Sequence, residues 1–339
     1  MIPTYPESCE ITLALRPLLH PLFQTLPEGI SEFTFAGLYL FRQKHRYRIA
    51  RLPDGRVVVT GEDTASPLPG RMGDDLACRA GADAGPVAGP FFMLPFGVPA
   101  PEILDDLFAG FGRMKAVSES LAADLAGRNY RVEEDRDSFD YLYRRTDMAE
   151  LPGRRFHKKK NLVNAFRRQH RAEGRPLLEE YMPEALHVLE AWRAERLAAD
   201  VGEHAPKDDA GAEGGGAGGD SAEGDYADGD YSAAREALER MEELQLCGGI
   251  YYVEGRPVAY TLGEEIARGR TFAIHFEKAL RTAQYRGIYQ FMNHVFASIL
   301  PEKYETINRE QDLGDPGLRQ AKESYNPAGF VKKFRAWKP

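Results

Sequence analysis

The sequence predicts an α/β chain, of α+β type, in two domains. Three observations carry that reading. At 339 residues the chain is long enough to bury two cores. In both halves, short strand-like runs bounded by Gly, Pro and Asp alternate with runs of helical spacing. A segment of changed composition, 202–230, interrupts the second half with almost no large apolar residue. The expected division is 1–175 and 176–339.

The bulk numbers exclude several classes. A hydrophobic share of 43% and a charged share of 28% are ordinary for a soluble globular chain. A net charge of −8 argues against wholesale coating of nucleic acid, though not against a local basic patch. Cys9, Cys78 and Cys247 lie far apart with no C-x-x-C spacing, so neither a zinc site nor a disulfide framework is expected. No apolar run approaches the ~18 residues of a membrane span, and the first residues lack the basic-then-apolar order of a signal peptide. The expectation is a cytoplasmic protein.

In the first half, residues 8–30 read as a short helix broken by Pro17, Pro21 and Pro27. Phe33 to Phe41 is an aromatic-rich core segment. His45–Ala50 and Val57–Thr60 form a strand pair turned at Pro53-Asp54-Gly55. Residues 61–89 read as loop, and Phe91–Leu94 as a buried strand. Leu104–Phe108 and Met114–Leu125 have helical spacing, with Val117, Leu121 and Leu125 four apart. Strands are expected around Tyr130–Asp140 and Tyr141–Tyr143.

Between the halves lies a basic helix. Arg154, Arg155, Lys158, Lys159, Lys160, Arg167, Arg168, Arg171 and Arg175 share one stretch whose only acid is Glu173. Leu162, Val163 and Phe166 supply a packing stripe, which leaves the cations for phosphate capture on RNA, a lipid headgroup or a cofactor. The alternative is a solvated helix face.

The second half begins with a strand at Leu177–Tyr181 and a helix at Pro183–Ala199. The insertion follows, read as disordered. A helix at Ser232–Leu246 precedes a hairpin, Gly249–Val253 and Val258–Leu262, turned at Glu254-Gly255-Arg256-Pro257. Thr271–Phe276 is a third strand, ending at His275, Glu277 and Lys278. Gln284, Arg286 and Gly287 open a helix that runs to Leu300, where backbone amides and the helix dipole attract an anion. A strand at Tyr304–Asn308 then delivers Asn308, Arg309, Glu310 and Asp312 to a carboxyl edge, where α/β sheets hold ligands. A short helix at Gly317–Ser324 carries Arg319, Lys322 and Ser324 and ends at Tyr325. A β segment, Phe330–Trp337, closes the chain.

The order hairpin, strand, Gln284-x-x-Gly287, helix, strand, helix, strand resembles the GCN5-related N-acetyltransferase fold. Tyr289 departs from its R/Q-x-x-G-x-G/A loop, where a small residue is usual. The segments F-H-K-K-K-N-L-V-N-A-F (156–166), H-F-E-K-A (275–279), Y-R-G-I-Y-Q (285–290), N-R-E-Q-D-L-G (308–314) and L-R-Q-A-K-E-S-Y-N-P (318–327) resemble DUF2156 proteins. Those are similar to the C-terminal domain of phosphatidylglycerol lysyltransferase, with Fem-type aminoacyltransferases as relatives.

That resemblance implies two tandem acetyltransferase-like domains, each a mixed, largely antiparallel sheet flanked by helices. It also implies acyl or aminoacyl transfer to a lipid-headgroup, peptide or small-molecule hydroxyl or amine. The donor would be aminoacyl-tRNA or acyl-CoA, used as a substrate, with no tightly bound cofactor and no metal. Tyr325 matches a region from which related acetyltransferases draw a general acid.

Glu310 or Asp312 would take the acceptor's proton or bind its ammonium. Amides around Gly287 would grip donor phosphate. His275, Glu277, Lys278, Asn308, Arg309, Lys322 and Ser324 would line the cleft. Lys158, Lys159, Lys160 and Asn161 would meet tRNA along 154–171. Two alternatives stay open: Lys322 and Arg309 as salt-bridge partners of Glu310 and Asp312, and His275 as a structural histidine. A non-catalytic ligand- or RNA-binding protein on the same scaffold is the competing function.

Overall fold

The computed structural model describes residues 1–63, 88–201, 225–280 and 283–338. Two seven-stranded sheets organise the described residues. The chain enters through β1 (Cys9–Glu10), α1 (Arg16–Phe23) and α2 (Phe35–Leu40), then lays down β2 (Arg48–Arg51), β3 (Val57–Asp63) and β4 (Gly89–Met93). Next come α3 (Pro101–Phe111), β5 (Arg113–Val117), α4 (Glu119–Gly127) and β6 (Arg131–Glu134). The second sheet is built from β7 (Asp140–Arg144), α5 (Arg145–Glu150), α6 (His157–Gln169), β8 (Ala172–Pro176), α7 (Met182–Val201), α8 (Asp225–Glu239) and α9 (Met241–Leu244). It continues with β9 (Cys247–Val253), β10 (Arg256–Ile266), β11 (Thr271–Ala279), α10 (Ile288–Ile299), β12 (Thr306–Asn308), α11 (Pro316–Glu323) and β13 (Gly329–Val331). The last strand, β14 (Phe334–Trp337), returns to the first sheet.

The first sheet runs β1-β2-β3-β4-β5-β14-β6 and the second β13-β7-β12-β11-β10-β9-β8. Both are mixed and largely antiparallel, with parallel pairs only at β4/β5 and β11/β12 among the named strands. The crossing between sheets comes between β6 and β7, near residue 139, so the basic helix packs with the second sheet. The boundary expected at 175/176 falls within β8, inside the second sheet's own sequence.

Three large buried clusters layer the described residues. Leu104, Leu107, Phe108 and Leu125 of α3 and α4 cover one face of the first sheet with Val58, Phe92, Met114 and Ala336. A central cluster joins the two sheets through α1, α2, α7 and α8, from Leu19, Phe35, Val57 and Phe91 to Trp192, Leu238, Ile250 and Phe276. On the far face of the second sheet, α10 and α6 bury Phe291, Phe296 and Phe166 against Tyr143, Tyr251 and Phe272.

Several local readings differ. Met114–Val117 is a strand, because the i, i+4 series starting at Val117 spans the helix boundary: Ser118 accepts from Leu121 N and α4 begins at Glu119. Strand β8 lies at 172–176, five residues before the expected strand, and Glu179–Tyr181 is a 3-10 turn. Phe330–Trp337 is two strands in two sheets. Residues 225–230 of the expected insertion are helical in α8, and the remainder, 202–224, lies outside the described residues, as does 64–87.

Candidate active site

Strands β11 and β12 pair in parallel over only three residues, Thr271–Ala273 with Thr306–Asn308. Beyond that point β11 continues to Ala279 while the other chain turns away at Arg309, and the divergence opens a cleft. Arg309 is 5% exposed. Its Nη2 donates to Glu277 Oε2 at 2.6 Å, across the splay. Burial works against the guanidinium charge, but Glu277 outweighs it and holds the group firmly ionised. Its Nε and Nη1, with Glu277 Oε1 and Asn293 Oδ1, have no partner among the described residues.

Around Arg309 stand Lys159, Tyr289, Asn293, Ala321, Lys322 and Tyr325. They enclose a cavity of about 10 Å³ at the radius of water, room for about one such molecule. Lys159 Nζ donates to Ser324 Oγ at 2.8 Å and lies 4.3 Å over the Tyr325 ring. Arg309 lies 5.1 Å over the same ring. Tyr143 fixes the far side, donating to Lys322 O at 2.8 Å. A wider cleft of about 220 Å³ opens at the other end of β11 and β12, near Arg270, Thr271 and Glu305. No side chain lining it holds an unpartnered buried polar atom, so the candidate site is the narrower cavity.

The chain from 308 to 314 is folded back on itself. Glu310 and Leu313 adopt φ of 54° and 53°, strained for non-glycine residues. Three devices hold it. Asn308 Oδ1 accepts from Glu310 N at 2.7 Å, Asp312 Oδ1 accepts from Gly314 N at 2.9 Å, and the Lys322 ammonium donates to the carbonyls of Arg309, Glu310 and Gln311. Burial, with Arg309 adjacent, lowers the Lys322 amine to about 8.

Sequence-predicted residues separate into distinct groups. Lys159, Arg309, Lys322 and Tyr325 line the cavity, with Glu277 bonded to Arg309 and Ser324 to Lys159. Asp312 does not face it. Its buried carboxylate accepts from Arg136, Tyr141, Arg319 and Gly314 N, and is held down to about 2 by those donors against the cost of burial. Neither Lys322 nor Arg309 pairs with it. Glu310 is committed to His275, whose Nδ1 lies 2.7 Å from Glu310 Oε1 and whose Nε2 lies 3.1 Å from Glu264 Oε1. Burial opposes that imidazolium, yet the two carboxylates raise it to about 10, so His275 is a buried cation between two anions.

Asn308 bonds Gly29 O and Asp140, in a seam completed by Ser31, Glu32, Gln311 and Lys333. Lys278 points to the opposite face, paired with Asp230 and 4.0 Å from the Trp192 ring. Gln284 and Arg286 are exposed. Gly287, at φ 95°, caps α10, where an added Cβ would meet Leu162 O at 3.4 Å, so the basic helix abuts that helix start.

On α6 the buried face is Phe156, Lys159, Val163 and Phe166, while Lys158, Lys160, Asn161, Arg167 and Arg168 are exposed. Lys158, Lys160 and Arg168 make no ion pair among the described residues, and the acidic helix α8 sits elsewhere, with Glu236 paired to Arg42. Sequence reasoning missed Asn293, Tyr289 as a lining residue, and Glu264. Asn293 was visible as an amide one turn after Tyr289 on the amphipathic helix α10, and Glu264 as an acid following the apolar run of β10. Among the described residues no cluster of His, Cys, Asp and Glu is suited to a metal, and no helix is long and apolar enough to cross a membrane.

Residues 90–337 match the family model "Phosphatidylglycerol lysyltransferase, C-terminal". No curated protein sequence matches the chain. Among solved structures, a conserved protein of unknown function from Bacteroides thetaiotaomicron is 27% identical, with TM-score 0.75 and 100% of both chains covered. The L-PGS of Bacillus licheniformis is 13% identical, with TM-score 0.53 and 100% of this chain and 94% of that one covered. A C-terminal DUF2156 domain from Agrobacterium fabrum is 10% identical, with TM-score 0.55 over 97% and 93%. The last two establish likeness of fold alone: two mixed sheets flanked by helices.

Proposed function

The chain belongs to the phosphatidylglycerol lysyltransferase C-terminal family, and from that premise we propose that it transfers an aminoacyl or acyl group from a polyanionic carrier to a hydroxyl or amine. The reaction centre is the cavity at Arg309. One observation carries this assignment: a buried guanidinium with Nε and Nη1 unpartnered, facing a cavity in the splay of two parallel strands. Buried donors without acceptors are costly, and sites built for a developing oxyanion keep donors in that state.

In the step so assigned, the acceptor's nitrogen or oxygen attacks the acyl carbon. The carbonyl oxygen becomes an oxyanion held by Arg309 Nε–H and Nη1–H. Glu277 Oε1 accepts the acceptor's proton. The bond to the carrier's oxygen or sulfur then breaks, and the Tyr325 hydroxyl protonates the leaving atom. Asp312 and Glu310, expected from sequence to act on the acceptor, instead hold the 308–314 turn that aims Arg309.

The carrier's phosphates meet α6, whose exposed Lys158, Lys160, Arg167 and Arg168 lie on the helix that sends Lys159 into the cavity. Aminoacyl-tRNA is the donor we favour, because a row of solvent-exposed cations suits a long phosphate chain.

Mass spectrometry of the full chain incubated with charged tRNA or acyl-CoA and pooled acceptors should detect a transferred group. Arg309→Lys keeps a cation for Glu277 but removes the guanidinium donors, and should lower transfer by about 100-fold. An unchanged rate in that variant would remove Arg309 from the chemistry. Ligand binding with no transfer from any donor would instead favour the non-catalytic reading.

A further inference from the structure

The wider cleft, of about 220 Å³, lies at the opposite end of β11 and β12 from Arg309 and takes no part in the transfer step. Three charged residues from separate segments line it: Glu28 from the amino-terminal loop, Arg270 from the turn between β10 and β11, and Glu305 just before β12. All three are exposed, and among the described residues none of their side chains has an ion-pair or hydrogen-bond partner. Opposite charges thus share one cleft without neutralising each other. Thr271, buried, and Thr306, half-buried, line it too, and their hydroxyls share one hydrogen bond at 2.8 Å. Two hydroxyls bring two protons and that bond uses one, so a second donor is left with no acceptor among the described residues.

The walls are preformed. Gly29 O accepts from Asn308 Nδ2 at 3.0 Å, Thr25 O from Arg268 Nε at 2.9 Å, and Arg270 O from Glu305 N at 2.8 Å. A Cβ added to Gly29 would meet Ala267 Cβ at 3.3 Å, so loop and turn are in contact. The three charges stand on fixed backbone, and a ligand entering between them has little chain to order.

Size and charge together restrict that ligand. Pockets for drug-sized molecules run to about 300–1,000 Å³, so this one suits something smaller. Two carboxylates favour an ammonium. Arg270, with the spare hydroxyl proton, favours a carboxylate, which a guanidinium grips in a planar fork. Leu142 and Val331 add apolar wall for the carbon atoms between. The three side chains sum to one negative charge, which disfavours a further acid on the ligand.

We propose that this cleft binds a free α-amino acid with a neutral or basic side chain, its ammonium at Glu28 and Glu305 and its carboxylate at Arg270. The inference stands apart from the transferase reading and does not depend on it.

The test is calorimetric titration of the full chain with serine, lysine and glutamate, and with serine methyl ester and N-acetylserine, each of which lacks one of the two charges. Serine and lysine should bind saturably in the millimolar range or tighter, and the other three at least tenfold more weakly. Arg270→Gln, and separately Glu28→Gln/Glu305→Gln, should each weaken serine at least tenfold. These positions are exposed, so the variants should fold, and their thermal midpoints check it. No saturable binding of serine or lysine would overturn the proposal. Ester or acetylated serine binding as well as serine would overturn the two-ended recognition, and glutamate binding as well would overturn the charge argument. Affinity unchanged in both variants would place the amino acid outside this cleft and overturn the assignment.

Discussion

His275 and Lys322 are both buried beside the same turn, and they respond to pH in opposite senses. His275, raised to about 10, binds a proton in the folded chain that it would lose in the unfolded chain above its ordinary value near 6.5. Its contribution is complete below that value and is lost as pH rises towards 10. Lys322, lowered to about 8, carries a penalty for its charge at neutral pH that is relieved between about 8 and its ordinary 10.5. Stability should therefore fall between pH 6.5 and 8, by up to about 1.4 kcal/mol per unit for one proton, and level off from 8 to 10. Urea unfolding across pH 6–10 measures this, and His275→Gln should flatten the first segment.

Asp312 sets the acid limb. Held at about 2, it stabilises the fold above the ordinary carboxylate value and loses that contribution as pH falls through 2. Asp312→Asn should cost on the order of 3 kcal/mol, since it leaves Arg136 and Arg319 facing a neutral group. A loss below about 0.5 kcal/mol would show that the latch is dispensable.

At the scale of elements, α6 would join the proposed recognition to the proposed chemistry, because exposed Lys158 and Lys160 flank Lys159, which lines the cavity. Lys158→Glu/Lys160→Glu/Arg168→Glu should weaken tRNA binding and flatten its salt dependence between ~50 and 200 mM. Lys159→Met should leave that slope nearly unchanged while reducing transfer. The hairpin β9/β10, its Gly255 turn at φ 75°, and helices α7 and α10 were all legible, since each rests on local spacing or turn chemistry.

Lys159 was not. A 3.6-residue period places it on the Phe156/Val163/Phe166 face, but a lysine there suggests solvent, and the serine and tyrosine that meet it arrive from 324–325, far along the chain. Arg309 and Glu277 were legible as cleft residues. Their pairing to each other was not, because it depends on how two strands diverge. Glu310 and Asp312 looked like bases for want of their partners, His275 for the first and Arg136 and Tyr141 for the second, which come from distant sequence.

For the whole molecule, the seam at Asp140 is decisive. Its carboxylate, 0% exposed, gathers Ser31, Asn308 and Lys333 from three remote parts of the chain. Lys333→Met should cost on the order of 3–5 kcal/mol by leaving Asp140 unpaired, and Asp140→Asn added to it should restore part of that loss. Thermal unfolding of the two single variants and the double variant checks this. Additive losses would mean that the two charges do not depend on each other.

The placement of β14 between β5 and β6 bears on how the molecule is made. The amino-terminal sheet has its other strands in hand once residue 134 is synthesised, yet β6 has no neighbour until residues 334–337 leave the ribosome. At about 5–20 residues per second that interval is roughly 10–40 s. Throughout it the edge of β5 is an unpaired template, open to a neighbouring nascent chain or to a chaperone. Co-translational folding should thus favour the second sheet's local hairpin over the first sheet. A ribosome stalled before residue 334 should hold a nascent chain that is protease-sensitive in its first 140 residues.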